Sequence, residues 1–371
     1  MSERLSMSND FNQVIKNTIS QIYGVNNVDI VYNMPIIQYL VKKTKSANKG
    51  SKSRGGFGNL YAIYVLVEDY IAKGYPNIGN YSKSEGAKFS FLLTRQRELP
   101  FGSKLQNHAL NHRFNEEFKK FFPTIEIIPI IRDTKNNHYW FNEQLLVVNL
   151  GGKFYNIATL IIDIINKYVD AKQNAMNFFL GKCEEMKLIS STNSNEVYNF
   201  IVSLLDKNVD ARLFEIVSYS ILKYYYNDIK IYWGYKLNRL VEENLTLYKT
   251  GRTNANDGGI DFVMKPLGRF FQVTETIDFK KYFLDIDKVA KFPMTFVVKT
   301  DVDINTLNIE IENKAYEVYG IKKVVDTYLE SIEELINIPI LLDIFNHTIK
   351  IGHLNNILDE IIIQSKVEFN V

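Results

Sequence analysis

Along most of the chain apolar residues recur at three- and four-residue intervals, the spacing that gives a helix one apolar face. In a few short stretches they cluster or alternate as strands do. Phe11, Val14, Ile15, Ile19 and Ile22 predict a helix near the start. Leu60, Ile63, Tyr64, Leu66, Val67 and Tyr70 predict another, with Asn59 placed to cap it. Leu105 to Phe122 reads as helix, Ile125 to Ile128 and Gln144 to Val148 as strands about an Asn136-Asn137-His138 turn, and Ile157 to Leu188 as helix again. The tract Ser190-Ser191-Thr192-Asn193-Ser194-Asn195 favours turns and adds little to a core, so it is read as a lobe boundary.

Beyond that tract, helical spacing is expected over Glu196 to Leu205 and Asp210 to Tyr226, then a strand over Ile229 to Tyr235 and irregular polar chain up to Ile260. Ile260 to Met264 and Phe270 to Thr276 read as two strands about the turn Lys265-Pro266-Leu267-Gly268-Arg269. A helix over Asp278 to Ala290, a buried strand over Thr295 to Lys299 and mostly helix over Val324 to Ile361 complete the prediction. The class is therefore α/β (α+β), with a mixed central sheet flanked by helices behind a largely helical N-terminal lobe. The expected divisions are 1–190, 191–320 and a C-terminal helical segment, 321–371.

Composition narrows the function. At 371 residues, 46% hydrophobic and 23% charged, the chain affords a substantial core, and a net charge of +2 makes any basic patch local. The single cysteine, Cys183, excludes an intramolecular disulfide and is expected as a buried free thiol. Met1 to Ser6 lacks the apolar core of a secretory signal, and apolar runs such as Leu160 to Ile165 are too short to span a membrane, so a cytoplasmic location is expected. His138-Tyr139-Trp140 and Cys183 have no triad spacing and are read as packing. Gly55-Gly56-Phe57-Gly58 lacks the Gly-Lys-Ser/Thr that a nucleotide-binding loop requires.

The chemistry concentrates in the paired strands. Asp261 follows Gly258 and Gly259, and a hairpin sets it beside Gln272, so a carboxylate and an amide oxygen face one divalent cation. Element order and residues together resemble the PD-(D/E)xK nuclease superfamily over roughly residues 205 to 300, and the whole chain resembles a type II restriction endonuclease. The resemblance implies Mg2+, with Mn2+ as a substitute, held by Asp261, Gln272, the carbonyl of Val273 and, from the preceding helix, Glu215. It implies double-stranded DNA as substrate, a homodimer, and a companion DNA methyltransferase that is not a bound subunit. Gln272-Val273-Thr274 stands where the family has Glu-x-Lys, and Thr274 cannot carry the lysine's charge. Lys280 and Lys281 are expected to replace it, with Lys265 as a lesser choice. The missing lysine keeps open a catalytically inactive DNA-binding module on the same fold, and a structure-selective or repair nuclease is the third reading.

DNA contacts are expected from a basic loop, Lys42 to Gly58, which carries Lys42, Lys43, Lys45, Lys49, Lys52 and Arg54 without an acid. Arg95, Arg97, Lys104, Asn107, His108 and Arg113 belong to a stretch rich in groups that read base edges. His108, His112 and Glu116, at i, i+4 and i+8, are spaced for zinc as the weaker alternative to DNA contact or a polar surface face.

Overall fold

A computed structural model describes residues 11–45, 52–103, 105–250, 260–275 and 279–369. Lys49, Lys104, Gly258, Gly259, Thr276 and the N-terminal Met1 to Ser6 lie outside these, as do the side chains of Lys45, Lys52 and Arg54. The fold mixes helix and sheet, and the chain divides into two units, 1–178 and 179–371, a division that falls inside a helix ahead of the Ser190 to Asn195 tract.

The first unit is largely helical: α1 (Phe11–Tyr23), α2 (Val28–Tyr32), α3 (Pro35–Lys45), α4 (Lys52–Ala72), α5 (Tyr75–Ile78), α6 (Phe89–Glu98), α7 (Phe114–Phe121) and the first part of α8 (Ala158–Ile189). Between them lie a three-stranded antiparallel sheet, β1 (Ala87–Lys88), β2 (Ile130–Asp133) and β3 (His138–Phe141) in the order β1-β3-β2, and a hairpin, β4 (Val147–Leu150) with β5 (Lys153–Asn156). Ile125 to Ile128 is not a strand; the hairpin about Asn136 and Asn137 starts at Ile130 instead. Nor is Lys42 to Gly58 one loop, since helix reaches Lys45 and resumes at Lys52. Asn59 accordingly sits inside α4 rather than at its cap. It is fully buried, and its amide donates to the Tyr39 hydroxyl at 2.8 Å and to Glu117.

In the second unit a five-stranded sheet has the order β12-β11-β10-β9-β8. Its strands are β8 (Thr246–Lys249), β9 (Phe262–Lys265), β10 (Arg269–Thr274), β11 (Met294–Val298) and β12 (Ile332–Ile336). The pairs β8–β9 and β9–β10 are antiparallel, whereas β10–β11 and β11–β12 are parallel. The strand expected over Ile229 to Tyr235 is present as β6 (Lys230–Trp233), but it pairs with β7 (Val241–Asn244) in a separate hairpin, and both β7 and the sheet's first strand, β8, lie in chain read as irregular. The segment 321–371 is mostly helix, as expected, and in addition supplies the parallel edge strand β12.

Helices cover both faces. α10 (Ala211–Asn227) follows α9 (Ser194–Ser203) and starts where the Asp210 side chain accepts the Arg212 amide at 2.9 Å. Its Tyr219 and Tyr226 rings meet Phe262 and Phe271 of the sheet at 5.1 and 5.7 Å. Its other side packs against α14 (Ile338–Lys350) and α15 (Leu354–Phe369). A helix buried on both sides has no solvated stripe, so Glu215 is buried along with Phe214, Ile216 and Val217. α11 (Phe279–Lys288), α12 (Ile304–Tyr319) and α13 (Lys322–Glu330) take the opposite face of the sheet, where Tyr282 stacks on Phe296 at 4.5 Å. Each fully buried aromatic of this kind contributes about 1.5–3 kcal/mol of hydrophobic stabilisation.

Candidate active site

The registers of β8, β9 and β10 bring the last residue of β8, the residue before β9 and the last turn of β10 to one end of the sheet. Lys249 lies opposite Phe262, and Phe262 lies opposite Phe271. One residue earlier the Asp261 amide donates to the carbonyl of that same Phe271 at 3.1 Å. Two successive residues thus share one partner, the arrangement of a β-bulge, which re-aims a side chain at a strand end. The freed carboxylate of Asp261 accepts the backbone amide of Val273 at 2.8 Å.

Glu215 enters from α10. One of its oxygens is 3.1 Å from the Lys249 ammonium, and the other pairs with Arg212 one helical turn back. Arg212 in turn holds Glu368 of α15 at 3.1 Å. All four side chains of this chain of charges are at most one-fifth exposed. Asp261, half-buried as a residue, has its carboxyl desolvated beside it, and its pKa is pushed up to about 7. Burial is the largest cause and repulsion by Glu215 the next; the Val273 amide, Arg212 and Lys249 pull in the other direction. A further cation, Lys299, is buried just after β11, bonded to the Val209 carbonyl and 3.0 Å from Glu275.

The remaining expected residues fall elsewhere. Gln272 alternates with Phe271 along β10 and shares the face of Phe270, which packs with Phe292 on the α11 side of the sheet. Phe271 faces Tyr226 of α10. The bulge therefore separates what a plain hairpin would have set side by side. Gln272 makes a 3.4 Å bond to the Val273 carbonyl, and its buried Oε1 has no hydrogen-bond partner among the described residues. Val273 engages Asp261 through its N–H, whereas its carbonyl had been expected to face a metal. Thr274 is buried on the same face as Gln272. Lys280 lines a cleft with Glu317 and Tyr319 of α12, Lys281 is exposed, and Lys265 pairs with Glu243 at 3.2 Å. The lysine that pairs with Glu215, Lys249, lies in Leu245-Thr246-Leu247-Tyr248-Lys249, which the sequence pattern reads as irregular; its brief alternation is the available signal.

In the first unit several of the residues expected to contact DNA are engaged within the fold. Lys43 is buried and bonded to both oxygens of Glu117, at 2.8 and 2.9 Å, so it belongs to the core network of Tyr39 and Asn59. Arg95 grips Glu68 with two bonds of 2.8 Å, and Arg97 donates to the Leu105 carbonyl at 3.0 Å. Lys42 lies over the Phe121 ring at 5.2 Å. His108, His112 and Arg113 are exposed about a π-helical turn, Ala109–Arg113, and Asn107 is half-buried beside them. Cys183 is buried, which pushes its thiol up to about 12.

Among the described residues no group of three or more His, Cys, Asp or Glu side chains is placed to hold a metal ion, His108, His112 and Glu116 included. The donor chemistry at Asp261 and Glu215 nevertheless fits Mg2+, which is commonly held through one or two carboxylates with water and substrate phosphate completing its shell. Burial first and repulsion by Glu215 next keep a proton on Asp261, and a divalent cation would offset both. No described helix is long and apolar enough to cross a membrane. Compared with protein-family models, with curated proteins and with solved structures, the chain matches none.

Proposed function

We propose that the second unit is the catalytic part of a type II restriction endonuclease with a PD-(D/E)xK core, hydrolysing phosphodiester bonds of double-stranded DNA at a short specific sequence with Mg2+. The observation that carries the reading is the meeting of Asp261, Glu215 and Lys249 at one end of a mixed sheet. The element order supports it: α10, then antiparallel β8, β9 and β10, then α11 and parallel β11. Asp261 and Glu215 would hold the metal. When bound, Mg2+ supplies a Lewis acid at the phosphate and lowers the pKa of an attacking water.

The protein's own residues do the rest. The Val273 amide fixes the orientation of Asp261, whose proton leaves near neutral pH. Lys249 provides the positive charge that Thr274 cannot, for the attacking water and the negative charge developing on the phosphoryl oxygens. Arg212, itself held by Glu368, positions Glu215. A homodimer would match a palindromic site and cut both strands, and a DNA methyltransferase encoded alongside would protect host DNA.

The test is digestion of long mixed-sequence DNA with and without Mg2+ or Mn2+. Discrete bands that require metal support the proposal. A smear or structure-dependent nicking would instead mark a repair-type nuclease. A non-catalytic DNA-binding module on the same fold is favoured by one observation, that Arg212 and Lys249 already neutralise Glu215. Duplex binding without nicking across all divalent metals would establish that reading.

A further inference from the structure

The β6–β7 hairpin is set off from the five-stranded sheet and exposes every residue from Tyr232 to Glu242. Apolar side chains crown it: Tyr235 is 99% exposed and Leu237 is 92% exposed. The tip has a defined shape. A side chain at Gly234 would lie 2.4 Å from the Arg239 carbonyl oxygen, and the Arg239 amide donates to the Lys236 carbonyl at 2.9 Å. A tight turn thus presents Tyr235, Lys236, Leu237 and Arg239 together.

Charge decides what this tip suits. Both acids of the hairpin are engaged within it or at its root: Glu242 by Lys230 and Tyr232, Glu243 by Trp233 and Lys265. Lys236 and Arg239 are exposed, and no ion pair to either is present among the described residues. The segment from Gly234 to Leu240 contains no acid. Two copies of such a tip repel each other, whereas a polyanion with an apolar interior satisfies both the cations and the exposed rings. A two-stranded ribbon is also of a size that a duplex groove admits.

We propose that the β6–β7 hairpin is a DNA-engaging ribbon: Lys236 and Arg239 contact phosphates, while Tyr235 and Leu237 press into the groove between them. This rests on the nuclease reading for its ligand, but its test is independent of cleavage. Binding of a fluorescein-labelled mixed-sequence duplex is followed by anisotropy in EDTA over a range of salt. Replacing Lys236 and Arg239 together by Ala should lower affinity roughly tenfold and reduce the log–log salt slope by about 1–2. Replacing Tyr235 and Leu237 by Ala should lower affinity about tenfold with the slope unchanged.

The residues are so exposed that folding is not at issue. Wild-type affinity and slope in both variants would overturn the hairpin's role and leave the nuclease proposal standing. A wild-type protein that binds no duplex would overturn both. Concentration-dependent self-association that disappears in the Tyr235→Ala/Leu237→Ala variant would also overturn it, by assigning the tip to a second copy of the chain.

Discussion

Two buried charged clusters, one in each unit, are built from similar parts and behave differently. In the first, Glu117 is the single carboxylate, and Lys43, Tyr39 and Asn59 all direct donors at it. Charges and hydrogen bonds there are matched. In the second, Asp261 and Glu215 are two carboxylates in one place, and Asp261 retains its proton up to about 7 although Lys249 and Arg212 stand nearby. A matched cluster specifies packing. The second cluster combines burial with two neighbouring carboxylates, so Asp261 favours a positive charge beyond those of Arg212 and Lys249, and shifts of this kind are commonest at functional sites.

The largest effect that would sharpen the comparison is on cleavage. Asp261→Ala should lower the rate of plasmid cleavage by about a thousandfold or more, with duplex binding in EDTA retained. Undiminished cleavage would remove Asp261 from the chemistry. Lys249→Met should lower the cleavage rate about a hundredfold. It should also move the pH–rate profile upward, because the remaining carboxylates lose a nearby cation that favours their charged form. An unshifted profile would reduce Lys249 to a packing role.

The first cluster should respond in stability alone. Lys43→Met leaves Glu117 without its counter-ion and should destabilise the fold by about 2–4 kcal/mol in urea unfolding, with cleavage per folded molecule unchanged. Loss of cleavage beyond the loss of folded protein would break the distinction between the clusters.

The smallest predicted effect has the opposite sign. Folded Asp261 keeps its proton up to about 7, while an unfolded Asp releases it near about 3.9. Between those values the folded state binds more protons than the unfolded, so this residue makes stability fall as pH rises, and its cost is fully present above 7. Asp261→Asn keeps an acceptor for the Val273 amide without the charge. It should be more stable than the native protein by on the order of 1–3 kcal/mol above pH 7. The gain should vanish below about pH 4, and a pH-independent difference in urea midpoint would refute the assignment of Asp261's raised proton affinity.

Much of this architecture was legible in the chain. Helix spacing located the long helices, and the Pro-Gly turn between β9 and β10 placed the hairpin that carries Asp261. Glu215 was recognised as a partner from its place on the preceding helix, although burial of α10 on both faces was not, because that depends on α14 and α15 from far along the chain. Gln272 was misjudged for a local reason: strand alternation assumes an unbroken ladder, and the bulge at Asp261 shifts the facing by one residue. Lys249 went unread because a four-residue strand gives too little periodicity to register.

The amino-acid sequence by itself determined the residues available and their local spacing: two units' worth of core, a hairpin flanked by oxygen-bearing side chains, and a cation-rich, acid-free turn at Gly234 to Leu240. Only the tertiary structure decided that Lys249, Glu215 and Asp261 share one end of a sheet, and that Lys43 is scaffold. The physical reason is that short-range periodicity sets which way neighbouring side chains point. Proximity of charges distant in sequence, and hence their proton affinities, is fixed by strand register and helix packing.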